Sequence, residues 1–144
     1  MSAMPEWFYW ALGSALFASL TAIFAKVGLQ GIDSDYATLI RTAIIFCVLG
    51  AFVYGTGKWT SPAGIPAKSW TFLTLSGLAT GASWVCYFRA LKMGDASKVA
   101  PVDKLSLVLV AIFAVLFLGE RPTGVQWAGI AMVGMGVVLV GWRR

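Results

Sequence analysis

The 144-residue chain has no histidine, two cysteines, five prolines and only 12% charged residues. Without histidine it lacks the commonest general base and the commonest metal ligand. Cys47 and Cys86 fall inside separate apolar stretches, so buried free thiols are expected, with neither a disulfide nor a metal site. There is no adjacent pair of carboxylates, no Gly-x-Ser-x-Gly and no zinc-ligand spacing, so neither an enzyme nor a cofactor is implied. Charge is scarce and one-sided, with eleven bases against six acids and a net +5. The bases cluster at the ends of apolar segments, where they fix orientation and meet anionic lipid head groups, so nucleic acid is not an expected partner.

What the chain does have is hydrophobicity: 59% of its residues are apolar and its mean hydropathy is +0.81, well outside soluble composition. Five apolar segments stand out, at about Trp7–Gly28, Ala37–Gly55, Ser69–Leu91, Ser97–Leu118 and Gly124–Trp142. Each is near the ~20 residues that cross a bilayer as a helix. None alternates with period two, which argues against barrel strands. The expected fold is an all-α integral membrane protein, one domain of five transmembrane helices over residues 1–144, with lipid as its first partner. Glu6 and the lack of a basic leader make Trp7 onward a retained span and not a cleaved signal.

Helix 1 opens on an aromatic belt, Trp7-Phe8-Tyr9-Trp10, as an interface anchor requires. Ser14, Ala18, Thr21 and Ala25 share one face, either a packing surface or a cavity wall. Asp33, Ser34 and Asp35 supply capping chemistry for helix 2, and Arg41 lies about 9 Å into it, where its long stem either snorkels outward or serves a site. Ser69 is positioned to cap helix 3. That helix carries a hydroxyl stripe, Ser76, Thr80, Ser83 and Tyr87, beside a second stripe of Gly77, Gly81, Trp84 and Phe88. The Gly77-x-x-x-Gly81 spacing admits another backbone closely, so helix 3 reads as packing on one side and lining a cleft on the other.

The uncharged run in helix 4, Leu105 to Leu118, is too short for a core of about 30 Å at ~1.5 Å per residue. To span, helix 4 must also take in Val99 to Lys104, which embeds Asp103 and Lys104. Ionisable groups at that depth cost about 2.5–3.5 kcal/mol each and normally face a partner or a wet cavity. Pro101 removes a backbone donor and loosens the same turns. Helix 5 is uncharged, with Gly129, Gly134, Gly136 and Gly141; contact with lipid or another subunit is expected of it, and Arg143 and Arg144 end it.

Counting Lys and Arg, the ends bearing Lys26, Lys92, Lys98, Arg143 and Arg144 outweigh those bearing Lys58, Lys68 and Arg121, which places the N-terminus outside and the C-terminus in the cytoplasm. Lys26, Arg41, Arg89, Asp103 and Lys104 then share the cytoplasmic half, with Asp103 the only acid among them, and Glu120 stands alone near the opposite face. Such a net-positive cluster serves an anionic substrate group, a lipid phosphate or a proton-linked switch.

These residues resemble a single repeat of the EamA-type branch of the drug/metabolite transporter superfamily. The likeness rests on Ser14-Ala15-Leu16-Phe17-Ala18, Ala37-Thr38-Leu39-Ile40-Arg41-Thr42, Ser76-Gly77-Leu78-Ala79-Thr80-Gly81, Tyr87-Phe88-Arg89-Ala90-Leu91, Ser97 through Ser106 and Phe117-Leu118-Gly119-Glu120-Arg121. The resemblance implies a bacterial or archaeal inner-membrane secondary transporter or exporter of small metabolites. It also implies that one repeat is half of a ten-helix transporter. The chain is then expected to work as a homodimer, parallel or antiparallel, or with a homologous subunit. Alternatives are a flippase subunit for a lipid-linked sugar and a non-transporting partner subunit. The substrate cavity is expected at Trp10, Ser14, Thr21, Thr80, Trp84 and Tyr87. Coupling or gating is expected at Arg41, Pro101, Asp103, Lys104 and Glu120, and helix packing at Gly77, Gly81, Gly129, Gly134 and Gly136.

Overall fold

A computed structural model describes residues 5–142; Arg143 and Arg144, which carry part of the expected charge bias, lie outside them. Among the described residues the chain is all helix, with no strand. The helices are α1 (Glu6–Gly28), α2 (Ser34–Gly55) and α3 (Ala67–Met93), then α4 (Ala96–Leu118) and α5 (Gly124–Gly141), with a 3-10 turn at Pro62–Gly64. Contacts divide the chain into two compact units. One comprises the residues up to Ala22 with those from Gly94 on, and the other is Ile23–Met93.

In the second unit, Gly31 turns the chain with φ +74°. The Asp33 carboxylate then caps α2, accepting from the backbone N–H groups of Asp35 at 2.9 Å and Tyr36 at 3.1 Å and satisfying two donors a helix start leaves unpaired. Helix α3 begins at Ala67 after Pro66, so Ser69 sits inside the first turn and is not the cap. A proline just before the helix starts it without needing a hydroxyl. Helices α2 and α3 form an antiparallel pair whose core is Phe88 and Leu91 with Leu29, Ser34 and Thr38.

In the first unit, α4 is broken twice. Its first section, Ala96–Asp103, contains Pro101. The Lys104 N–H bonds back to the Pro101 carbonyl at 2.9 Å, a three-residue closure, with ψ at −2°. Proline cannot donate and its ring crowds the preceding turn, so the helix shifts register just beyond it. After Leu105–Phe113 the last turn, Ala114–Leu118, is π-helical. Gly119 at φ +69° ends it, and the Ala114 carbonyl accepts from both Gly119 and Glu120, a left-handed C-cap that glycine adopts without strain. Thr123 and Gln126 close a capping box at the start of α5. Helix α5 packs on α4 through the face containing Gly134 and buried Val137.

Only six apolar residues are buried among the described residues, whereas tryptophans, phenylalanines and leucines are exposed along every helix. Such a surface is stable only in an apolar solvent. Four helices, α1, α2, α4 and α5, are long and apolar enough to cross a membrane. Helix α3 has the length, at 27 residues, but Thr71, Thr74, Ser76, Thr80 and Ser83 dilute its hydropathy. The third segment is therefore a helix as expected, but more polar than a simple lipid-facing span.

Candidate functional site

The densest polar chemistry in the second unit lies where the start of α2 meets the end of α3. Arg89 donates from Nε and an Nη to the two carboxylate oxygens of Asp35, at 2.9 and 2.6 Å, a bidentate fork that fixes both groups. Lys92 Nζ donates to the Ile32 carbonyl at 2.6 Å, and Lys26 Nζ to the Leu91 carbonyl at 2.6 Å. Each of these cations closes a backbone or carboxylate acceptor that a helix end would otherwise leave to the head-group region.

Deeper along α2, Arg41 is held differently. Its guanidinium carbon stands 4.4 Å from the centre of the Trp84 ring and 5.2 Å from that of Phe88. No hydrogen bond or ion pair of this guanidinium occurs among the described residues. A cation over an indole face gains about 0.5–2 kcal/mol, against about 2.5–3.5 kcal/mol for placing an arginine in a span. The rings therefore hold Arg41 without fully offsetting the cost of its position. The helix supplies this geometry because Trp84 and Phe88 are one turn apart on the face of α3 that meets α2.

Other expected site residues are distributed as follows. Thr80 is exposed and spends its hydroxyl on the Ser76 carbonyl of its own helix at 2.9 Å; Tyr87 is half-buried beside Trp84. Trp10, Ser14 and Thr21 lie on the part of α1 that belongs to the first unit, with Trp10 and Ser14 exposed and Thr21 half-buried. Also in the first unit, Asp103 and Lys104 pair with one another at 3.4 Å, half a turn after half-buried Pro101. One expectation about Asp103 is corrected: it is not the only acid among the basic residues, because Asp35 is bonded to Arg89. Asp35 was legible only as a helix-capping residue; its pairing follows from the antiparallel register of α2 and α3, which sets it opposite Arg89.

Glu120 lines an open groove of about 710 Å³ between α4 and α5, with Arg121 and Gln126 at its polar end and Leu107, Val110 and Ile130 along it. Gly129 also lines this groove. The small residues Ala111, Ala114 and Gly129 are the sequence signal that two helices leave room there.

The packing glycines separate clearly. A Cβ at Gly134 would meet Val108 at 3.4 Å, and one at Gly141 would meet Val102 at 3.5 Å. The α5 glycine face is thus partly used inside the chain, at Gly134, one of the positions expected to pack helices. Gly77, Gly81, Gly129 and Gly136 would meet nothing within 4 Å. Cys47 and Cys86 are free, as expected, but exposed instead of buried, because each helix turns most of its surface outward.

Comparison with known proteins places these features in a lineage. The model of the EamA-like transporter family matches residues 6–142. A Sinorhizobium sp. protein named an uncharacterized transporter in the cobO 3' region is 60% identical over 94% of this chain and 96% of its own length. An uncharacterized transporter of Vibrio cholerae is 27% identical over 96% of this chain but only 44% of its own length, and the Bacillus subtilis transporter YvbV is 27% identical over 90% and 43%. The chain therefore spans less than half the length of these last two relatives. A probable 4-amino-4-deoxy-L-arabinose-phosphoundecaprenol flippase subunit, ArnE of Yersinia pestis, is 30% identical over 50% of this chain and 63% of its own. No solved structure matches. With its helical architecture, its apolar exterior and a family match running nearly end to end, this chain belongs to the EamA-like transporter family.

Proposed function

We propose that the chain is a secondary transporter of small metabolites that works as a pair of five-helix repeats in the bacterial or archaeal inner membrane, the pair being two copies or one copy with a homologous subunit. One observation carries the reading. Ser76, Gly77, Thr80, Gly81 and Ser83 all stand exposed on α3, a polar and small-residue face that lipid would solvate poorly and a second repeat would cover. The half-length match to the Vibrio and Bacillus transporters supports the same arithmetic, since a second copy would bring the pair to about their length. Within the pair, Thr80, Trp84 and Tyr87 face the substrate path. Asp103, beside the helix break at Pro101–Lys104, couples transport to a proton, and Glu120 acts at the gate near the other end of α4. The N-terminus lies outside, following the charge bias.

A second reading, a flippase subunit for a lipid-linked sugar, is favoured by the match to ArnE. Cross-linking in native membranes, run beside transport into vesicles, tests the pairing: a species that stays monomeric while transporting sinks it. Transport of a soluble metabolite by the purified chain separates the first reading from the second.

A further inference from the structure

Four cations stand near the α2–α3 end, and three of them are discharged within the chain. Arg89 holds the Asp35 carboxylate in a two-bond fork, Lys92 the Ile32 carbonyl and Lys26 the Leu91 carbonyl. Arg41 is the exception. What touches it is aromatic: its guanidinium carbon lies 4.4 Å from the Trp84 centroid and 5.2 Å from that of Phe88. A guanidinium carries all five N–H donors in its own plane. Rings this close to its central carbon hold the group in place but offer no oxygen or nitrogen acceptor directed at its N–H donors. No acceptor for those donors occurs among the described residues, although the side chain is half-buried and belongs to an apolar span.

Its surroundings add a second observation. Thr80 and Ser83 are exposed on α3 within one turn of Trp84, and Tyr87 is half-buried one turn beyond. Helix α3 alone among the five lacks the apolarity of a simple span. The polar lane and the unsatisfied fork thus meet at the same ring.

We propose that the in-plane N–H fork of Arg41, held by the Trp84 ring, is an anion subsite that takes a carboxylate or phosphate group. The geometry of the fork matches two oxygens of either group, and charge-assisted pairs of this kind are the strong ones. That the anion is cargo rests on the transporter reading above; that it binds at Arg41 does not. A soluble metabolite and a phospholipid head group present the same chemistry, and the test is built to tell them apart.

The full chain is placed in nanodiscs of phosphatidylcholine and titrated with inorganic phosphate and with benzoate, reading tryptophan fluorescence and thermophoresis. A parallel set contains one-fifth phosphatidic acid, with lipid retention read by native mass spectrometry. Arg41→Gln should weaken binding of at least one probe tenfold or more, and Arg41→Lys should fall between, keeping charge but losing the fork. If Arg41→Gln does not fold, as judged by helicity and monodispersity, phenylglyoxal labelling of wild-type Arg41 replaces it, and the bound probe should protect the side chain. Arg41-dependent binding of phosphate or benzoate assigns the site to a soluble anion; Arg41-dependent retention of phosphatidic acid alone assigns it to a lipid phosphate. The proposal is overturned if no probe binds or protects in an Arg41-dependent way. A protein that binds anions through Arg41 yet moves no solute would overturn the transporter reading and leave this subsite standing.

Discussion

Leucine placed at Gly134 and at Gly81, one at a time, separates packing inside the chain from packing between chains. At Gly134 a Cβ already reaches 3.4 Å from Val108, and leucine adds three carbons beyond it on the face of α5 that buries Val137 at 6% exposure. Overpacking of this kind costs about 1–3 kcal/mol, offset by up to about 1 kcal/mol from removing a helical glycine. At Gly81 nothing lies within 4 Å, so only the favourable effect remains within the chain. The gain from removing a glycine is common to both, so the two variants should differ by the overpacking cost of about 1–3 kcal/mol, a few degrees or more in melting temperature for a chain of this size. Their association should differ in the opposite sense. Gly81→Leu blocks the close approach of a second backbone and should abolish the cross-linked dimer, whereas Gly134→Leu should lower the melting temperature and leave residual folded protein dimeric. Thermal melts in detergent and cross-linking in native membranes read the two effects independently. A Gly81→Leu protein as dimeric as wild type, or one destabilised as much as Gly134→Leu, refutes the reasoning.

Three further outcomes are expected. Trp84→Ala should weaken substrate binding several-fold while shifting the melting temperature less than truncation of the buried Phe88 would, because the Trp84 ring is only partly buried; equal losses in binding and melting temperature would support a packing role instead. Exchanging the pair, Asp35→Arg with Arg89→Asp, should restore a thermal stability that either single change lowers, and a double variant no more stable than the singles would show that the fork between α2 and α3 contributes nothing. Asp103→Asn keeps shape and loses charge, so it should fold and bind substrate but fail to move it uphill; wild-type uphill transport by this variant would falsify coupling and leave the Asp103–Lys104 pair structural.

The helices were legible because apolar run length and cap chemistry are local: Asp33 caps α2 and Gly119 ends α4 with no help from the rest of the chain. The break in α4 was legible at Pro101 for the same reason, although its position at Lys104 follows from how the proline ring displaces the hydrogen bonds after it. Periodicity also marked the two stripes on α3, since it reports which residues share a face of one helix. It does not report what lies opposite, which is why Asp35 reads from sequence only as a capping residue and not as the partner of Arg89. Antiparallel packing supplies the missing information. Once Ile32 is set opposite Lys92, the pitch of the two helices brings Asp35 to Arg89 and Arg41 to Trp84 in turn. A single contact thus determines whether an embedded charge is neutralised within the chain or left for a ligand. Arg89 falls at the level of an acid and is closed. Arg41, about two turns deeper, falls at the level of an indole, and the same register that satisfies the first charge leaves the second one open.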